Sequence, residues 1–213
     1  MSRLILALLI ALGGACSRHA GAAPGQMAVQ DTTLRDELLR RVATDQAVRE
    51  QVVAAGRVGK EPDSALIARL HSVDAENTRW LARTVARVGW PGHSMVGADG
   101  ADAAFVLVQH ADADTAFQAR VLPLLDRAYH AREATGQQLA LLTDRLETAR
   151  GRLQVYGTQV DLVAGRAVLK PILDSAGVDT RRAAVGLPPL REYLRLIDSV
   201  YFGRPQRTPA DRP

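Results

Sequence analysis

The residues best suited to chemistry lie in one short stretch, QHADAD at residues 109–114, directly after an apolar run. An imidazole and two carboxylates so close together are the groups that proton transfer and metal binding require. One interpretation makes His110 a general base, oriented by Asp112, in a hydrolase-type enzyme. The alternative is that His110 belongs to the core and donates a hydrogen bond to a backbone carbonyl. Residue types alone leave both roles open.

Asp114 also has two possible roles. If one helix runs through the stretch, His110 and Asp114 share a face with Leu107 and Phe117 and have to pair with one another. If the helix breaks at Ala111, Asp114 is the N-cap of the next helix. We favour the cap, because a new apolar periodicity begins directly afterwards.

Polar groups interrupt apolar sequence at two further places. Asp144 and Arg145 lie within LALLTDRL, either as an exposed pair or as a salt bridge at the edge of the core. The stretch QVYGTQ at residues 154–159 would by itself be an ordinary solvated strand. We hypothesise that these places and the first stretch share a polar pocket. Its predicted residues are Gln109, His110, Asp112, Arg145, Tyr156 and Gln159.

Several other chemistries lack their sequence signatures. HADAD has no second histidine at i+3 or i+4, so we predict no metal site. Ser94 has no GxSxG motif around it, and GADGAD lacks the lysine of a phosphate-binding loop. We therefore predict no cofactor. The net charge is +4 and the basic residues are scattered, so we predict no nucleic-acid partner.

Apolar periodicity predicts a mainly helical single domain over residues 31–202, with one small β-hairpin near the C-terminus. The predicted helices cover residues 31–55, 64–70, 75–88, 101–110, 115–133 and 137–150. Asp74 is predicted to cap the helix over residues 75–88. Residues 153–163 and 167–172 have strand-type composition around a turn at 164–166, which predicts the hairpin. Asp179 is predicted to cap a brief helix, and a final helix runs from the prolines at 188–189 to Tyr201.

The first fifteen residues have the pattern of a signal peptide. Arg3 precedes an apolar run over residues 4–12, and the small residues GGA lead to Cys16, the one cysteine of the chain. This order predicts an exported lipoprotein attached to a membrane through a lipid on Cys16. The alternative is a secreted or periplasmic protein without lipid. Residues 16–30 are predicted to be a flexible tether, and residues 203–213 a disordered tail.

A set of motifs extends over nearly the whole predicted domain. It consists of GWP at 89–91, VG at 96–97, QHAD-x-D at 109–114, FQ at 117–118, DR at 144–145, Q-x-YGTQ at 154–159, Asp179 with the arginines at 181–182, and VGLP at 185–188. With these motifs the chain resembles an uncharacterised bacterial family of unknown function, over about residues 31–200. Thr115 stands where members often carry proline. The resemblance implies no activity, substrate or cofactor.

Two functions fit these observations. The first is a cell-envelope domain whose polar pocket binds a small molecule or an envelope protein. The second is the hydrolase that uses His110 and Asp112, with Tyr156 or Arg145 stabilising charge. We favour the binding domain, because no recognised catalytic motif accompanies the polar groups.

Overall fold

Helices form most of the described part of the chain. In this computed structural model, residues 29–57, 60–163 and 166–202 are described. The predicted signal peptide, Cys16, nearly all of the predicted tether and the predicted tail lie outside these residues. The predicted fold class is confirmed, since the described residues form seven helices and one two-stranded antiparallel sheet near the C-terminus.

The chain divides into two compact units, one up to Ala134 and one from Thr135. We describe each unit by itself, and the prediction of a single domain over residues 31–202 stays a prediction. The first unit contains α1 (Thr32–Arg57), α2 (Ser64–Val88), α3 (His93–Gln109) and α4 (Thr115–His130). The second contains α5 (Gly136–Ala149), β1 (Val160–Val163), β2 (Arg166–Leu169), α6 (Val178–Ala184) and α7 (Leu190–Phe202).

Local capping and apolar stripes explain the helices of the first unit. Asp31 and Asp63 accept hydrogen bonds from the backbone three residues later, which fixes where α1 and α2 begin. α1 packs against α2 and α3. The core of this unit is apolar and is formed by residues that include Leu38, Val48, Leu81, Val96, Phe105, Leu107, Phe117, Val121 and Leu125.

The prediction of two helices over residues 64–70 and 75–88 is wrong, because α2 is continuous. Asp74 lies inside α2, where its backbone carbonyl accepts a hydrogen bond from the Thr78 hydroxyl. No glycine or proline interrupts the sequence from Ser64 to Val88. Leu70 also packs with Val48 and Val52 of α1, which favours an unbroken helix at this point.

The third helix begins earlier than predicted, at His93 rather than at residue 101. Gly97 produces a kink inside it, with φ 74° and ψ 168°. This backbone conformation is open almost only to glycine, so the first turn and the buried run are two helical pieces that meet at Gly97. α4 ends at His130, three residues before the predicted end, because Arg132 has a positive φ of 64°.

The predicted hairpin of the second unit is confirmed, with shorter strands than expected. β1 and β2 pair antiparallel, and Val163 opposite Arg166 closes the turn. The predicted cap of the brief helix is wrong. Gly177 is the N-cap of α6, and Oδ1 of Asp179 accepts a hydrogen bond of 2.7 Å from the backbone N–H of Leu190.

None of the helices in the described part of the chain combines the length and the apolar character needed to cross a membrane.

Candidate functional site

The QHADAD stretch connects α3 to α4. α3 ends at Gln109 with His110 as its C-cap, and Asp112 lies exposed in the following turn. Oδ1 of Asp114 accepts a hydrogen bond of 2.8 Å from the backbone N–H of Phe117, which makes Asp114 the N-cap of α4. The capping interpretation of Asp114 is therefore confirmed, and the alternative of one unbroken helix is wrong.

His110 is buried among charged side chains from α1 and α2. Its Nδ1 lies 2.8 Å from Oδ2 of Asp45 and 3.0 Å from Nε of Arg49. The Nε of Arg49 is also 3.3 Å from each carboxylate oxygen of Asp45. Nη2 of Arg49 donates a hydrogen bond of 2.5 Å to Oδ1 of Asp74. We refer to Asp45, Arg49, Asp74 and His110 as the His110 cluster.

The two carboxyl groups of the His110 cluster have opposite pKa shifts. Burial would raise the pKa of Asp45, but the hydrogen bond and charge of His110 and the charge of Arg49 outweigh burial and hold this pKa below its ordinary value. Burial also raises the pKa of Asp74, and there the neighbouring charges do not reverse the effect, since Asp45 adds a like charge. Asp45 is thus held ionised more firmly than Asp74.

The geometry of the His110 cluster suits a structural ion network. A general base has to come within hydrogen-bond distance of its substrate, whereas His110 is only 4% exposed and Asp45 is 0% exposed. The cluster joins α1, α2 and the end of α3 through charge-assisted hydrogen bonds. The carboxylate placed beside Nδ1 of His110 is Asp45, and the orienting role of Asp112 stays a prediction.

Glutamine side chains surround the same helix end. Gln118, fully buried on α4, donates from Nε2 to the backbone carbonyl of Val108 at 3.0 Å and so satisfies one of the last carbonyls of α3. Gln109 is 5% exposed, and its Oε1 accepts no hydrogen bond from the described residues. A buried acceptor without a donor costs free energy.

In the second unit, Asp144 is a buried carboxylate that organises the Q-x-YGTQ segment. Its two oxygens accept hydrogen bonds from the backbone N–H groups of Val155, Tyr156 and Thr158, at 2.6, 3.0 and 2.8 Å. The Thr158 hydroxyl adds another at 2.9 Å. Successive N–H groups that converge on one anion form a nest, and here the anion is supplied by the protein itself.

Other buried polar side chains of the second unit also form hydrogen bonds with backbone groups of this segment and its surroundings. Gln154, fully buried, donates to the carbonyls of Gln159 and Lys170 and accepts from the Gln159 N–H. Arg182 is fully buried, and its Nη1 donates to the carbonyl of Tyr156 at 2.8 Å. Burial lowers the pKa of Arg182. Arg145, from the DR motif, is buried as well.

A cavity of about 880 Å³ lies in the first unit, beside the N-terminal turns of α1 and α3 and the segment that follows α4. Its size is within the range of small-molecule sites. It is lined by Val29, Arg35, His93, Ser94, Gly97, Ala98, Asp99, Ala131, Arg132 and Glu133. Arg35 and Asp99 form a bidentate ion pair in its wall, and the hydrogen bonds from Arg35 lower the pKa of Asp99.

The side chain of Glu133 caps the N-terminus of α3 beside the cavity. Its Oε2 accepts a hydrogen bond of 2.7 Å from the backbone N–H of Ser94. Gly92 makes this possible, because a Cβ at that position would lie 2.6 Å from the same Glu133 oxygen. Nδ1 of His93 donates to the carbonyl of Arg132 at 3.2 Å, since a carbonyl can only accept.

A metal centre has no support in residues 29–57, 60–163 and 166–202, where no three His, Cys, Asp or Glu side chains are grouped to hold an ion. Gln109, His110 and Asp112 belong to the first unit, and Arg145, Tyr156 and Gln159 to the second. The pocket predicted for these six residues stays a prediction.

Comparison with known proteins identifies the family. A family model matches residues 32–204, which is most of the chain. The chain belongs to DUF6624, a family of unknown function. The resemblance to a family of unknown function is thereby confirmed, while its bacterial origin stays a prediction. No curated protein and no solved structure matches the chain.

Sequence reasoning missed two groups of residues in this DUF6624 chain. One is Asp45, for which a signal existed, because it lies seven residues from both Leu38 and Val52 on the apolar stripe of α1. The other is the cavity pair Arg132 and Glu133, which follow α4 without any motif of their own. The contact of Glu133 with the backbone N–H of Ser94 joins residues 39 apart in the chain, and local sequence does not give such a contact.

Proposed function

We propose that this DUF6624 protein is an exported cell-envelope domain, anchored by a lipid on Cys16, that binds a small molecule in the cavity of its first unit. The observation that carries the binding role is the cavity of about 880 Å³, whose lining includes ionic and polar side chains from α1, α3 and the segment after α4. A concave site with convergent polar groups is the usual place for a small ligand.

Export and anchoring have separate support from the N-terminal sequence. Arg3, the apolar run over residues 4–12 and the GGA sequence before Cys16 are the parts of a lipoprotein signal. A cysteine with no second cysteine in the chain has no intramolecular disulfide partner, which favours lipid attachment as its role.

Two features of the cavity favour binding over catalysis. Its lining holds no nucleophile and base joined by a hydrogen bond in the described residues, as covalent catalysis requires. Its walls are also fixed, since Gly92, Glu133 and His93 are held by the contacts given above. A site whose side chains are already ordered loses less conformational entropy when a ligand binds.

Ligand-observed NMR of the full chain tests the binding role. We would screen small fragments in three classes, neutral, cationic and anionic, against wild type and Ala98→Trp, which places a large side chain in the cavity wall. Ala116→Trp is the matched control, because Ala116 is exposed on α4 and does not line the cavity. We expect at least one class to bind wild type and the control but not Ala98→Trp. If no fragment of any class binds, the binding role is wrong.

A hydrolase that uses His110 as general base is the second candidate. The 2.8 Å hydrogen bond between Nδ1 of His110 and Oδ2 of Asp45 favours it, because a carboxylate that accepts from Nδ1 orients an imidazole for proton transfer. The burial of His110 weighs against it. Hydrolysis of a small activated ester by wild type and by His110→Ala would separate the two functions, since a loss of activity in a folded His110→Ala protein supports the hydrolase alone.

A further inference from the structure

We propose that the ligand of this cavity carries an anionic group, a carboxylate or a phosphate, and that this group pairs with Arg132. The proposal rests on the proposed binding function and adds to it the chemical class of the ligand. Three observations carry it: the charge state of the cavity lining, the backbone conformation at Arg132, and the way the surrounding segment is held.

Arg132 is the cation of the described lining that no carboxylate neutralises. Arg35, the other arginine of the wall, is occupied by its two hydrogen bonds to Asp99. The exposed guanidinium of Arg132 makes no ion pair or hydrogen bond with the described residues. Of the two carboxylates in the lining, Asp99 is occupied by Arg35, and Glu133 accepts the Ser94 N–H. Arg132 is therefore the cationic side chain of the described lining that an incoming anion can pair with, since Arg35 is held by Asp99.

The backbone at Arg132 points to a role for its side chain. Arg132 is the one described residue other than glycine with a positive φ, 64°. A side chain in this conformation costs energy that glycine would not cost. Arg132 follows the C-cap of α4, a position where a left-handed residue is common and glycine is the usual one, so arginine stands here at a cost that glycine would avoid. Stability alone would favour glycine here.

The segment around Arg132 is held by contacts that leave its guanidinium free. His93 donates from Nδ1 to the Arg132 carbonyl, and the Arg132 N–H donates to the carbonyl of Tyr129 at 3.0 Å. The Glu133 N–H donates to the carbonyl of Ala128 at 2.8 Å. Backbone atoms are thus fixed on both sides of Arg132. The side chain remains available, and Ser94 of the same lining can offer its hydroxyl as a second donor.

Titration of the full chain with matched probes tests the ligand class. We would use succinate, its uncharged analogue succinamide and inorganic phosphate, at constant ionic strength set with sodium chloride, and follow binding by calorimetry and by NMR. We expect succinate or phosphate to bind at least about tenfold more tightly than succinamide, since a charge-assisted hydrogen bond is worth a factor of this order.

Arg132→Gly is the decisive variant, because it removes the guanidinium and relieves the positive φ together. We expect its affinity for the anion to fall at least about tenfold while its melting temperature stays at or above that of wild type. Arg132→Lys should retain part of the affinity, because it keeps the charge. Arg127→Gln, exposed on α4 and outside the lining, is the charge-matched control and should bind as wild type does.

The outcomes separate this inference from the binding role itself. If neutral or cationic fragments bind in the cavity and are blocked by Ala98→Trp, while succinate and phosphate do not bind, the cavity is a ligand site and the anion proposal is wrong. Anion binding that is unchanged in Arg132→Gly also overturns the proposal. If no probe of any charge binds, the binding role and the anion proposal are both wrong.

Discussion

Asp45 and Asp112 are the two carboxylates that can be assigned to His110, and substitution distinguishes them. We expect Asp45→Asn to lower the free energy of unfolding by about 3–5 kcal/mol, as when one partner of a buried ion pair is removed. Asp45 is 0% exposed, and its loss leaves Arg49 with less compensation. Asp112→Asn should change stability by about 0.5 kcal/mol or less, because Asp112 is exposed. Urea unfolding measures both, and equal losses would contradict Asp45 as the partner.

The opposite pKa shifts of Asp45 and Asp74 predict opposite pH dependences. Folding raises the pKa of Asp74, so its contribution to stability is present below its ordinary pKa of about 4 and is lost as the pH rises through the folded value. Folding lowers the pKa of Asp45, so its contribution is present above a pH of about 4 and is lost as the pH falls through the folded value.

Two asparagine variants show these signs in unfolding experiments. Between a pH of about 7 and a pH of about 4, acidification should improve the stability of wild type relative to Asp74→Asn. The advantage of wild type over Asp45→Asn should shrink only once the pH falls below about 4. Urea unfolding of all three proteins over a pH series measures both differences. Parallel stability curves for wild type and Asp74→Asn would show that the Asp74 shift is absent.

At the scale of elements, the contact between Asp144 on α5 and the segment over residues 155–158 holds the second unit in order. Asp144→Ala removes the acceptor of three backbone N–H groups that are buried or partly buried, and we expect a loss of about 3 kcal/mol or more. Hydrogen exchange should then accelerate at Val155, Tyr156 and Thr158. Glu147→Gln is the control, because it changes a half-buried ion pair on the same helix and should cost about 1 kcal/mol or less. Unchanged exchange in Asp144→Ala would contradict the nest.

The kink of α3 and the end of α4 predict stability changes of opposite sign. Gly97→Ala should destabilise the first unit by about 1–3 kcal/mol, because φ 74° with ψ 168° excludes a side chain and a Cβ would lie 3.1 Å from Oδ1 of Asp99. Arg132→Gly should leave stability unchanged or raise it by up to about 1 kcal/mol, as relief of strain is partly offset by the flexibility of glycine in the unfolded chain. Thermal unfolding measures both, and a destabilised Arg132→Gly protein would contradict the strain.

At the scale of the whole molecule, the proposed lipid on Cys16 predicts where the protein is found. Expressed as the full chain in a bacterial host that processes lipoproteins, wild type should appear in the membrane fraction. Its intact mass should lack residues 1–15 and include a diacylglycerol and an acyl group. Cys16→Ser should not carry this mass and should leave the membrane fraction. An unmodified Cys16 in the soluble fraction would disprove the lipid while leaving export possible.

Local signals in the sequence predicted much of the fold. Asp114 and Thr115 gave the start of α4 correctly, because an N-cap depends on residues only three apart. The antiparallel pairing of β1 with β2 was also predicted from composition. Asp74 misled for the same reason, since its side chain resembles a cap although its partner is Arg49 on another helix. Local patterns cannot distinguish a cap from a contact made across the fold.

The candidate sites depended on contacts between distant parts of the chain, and these could not be predicted. Asp45 and His110 are 65 residues apart, and Glu133 and Ser94 are 39 apart. His110 was correctly singled out as a polar group in an apolar setting. The orienting role was predicted for Asp112, the nearest carboxylate in sequence, because spacing along the chain was the available measure of proximity, and Asp45 could not be found in that way.

The nest around Asp144 has a consequence for how this family is recognised. The carboxylate contacts backbone N–H groups at Val155 and Tyr156, and this contact does not depend on which side chains those residues carry. Any amino acid except proline supplies the same donor there. At these two positions the contact is therefore specified by Asp144 and not by the side chains of the segment. A search for remote relatives should give weight to an aspartate on the helix followed, eleven to fourteen residues later, by a segment without proline.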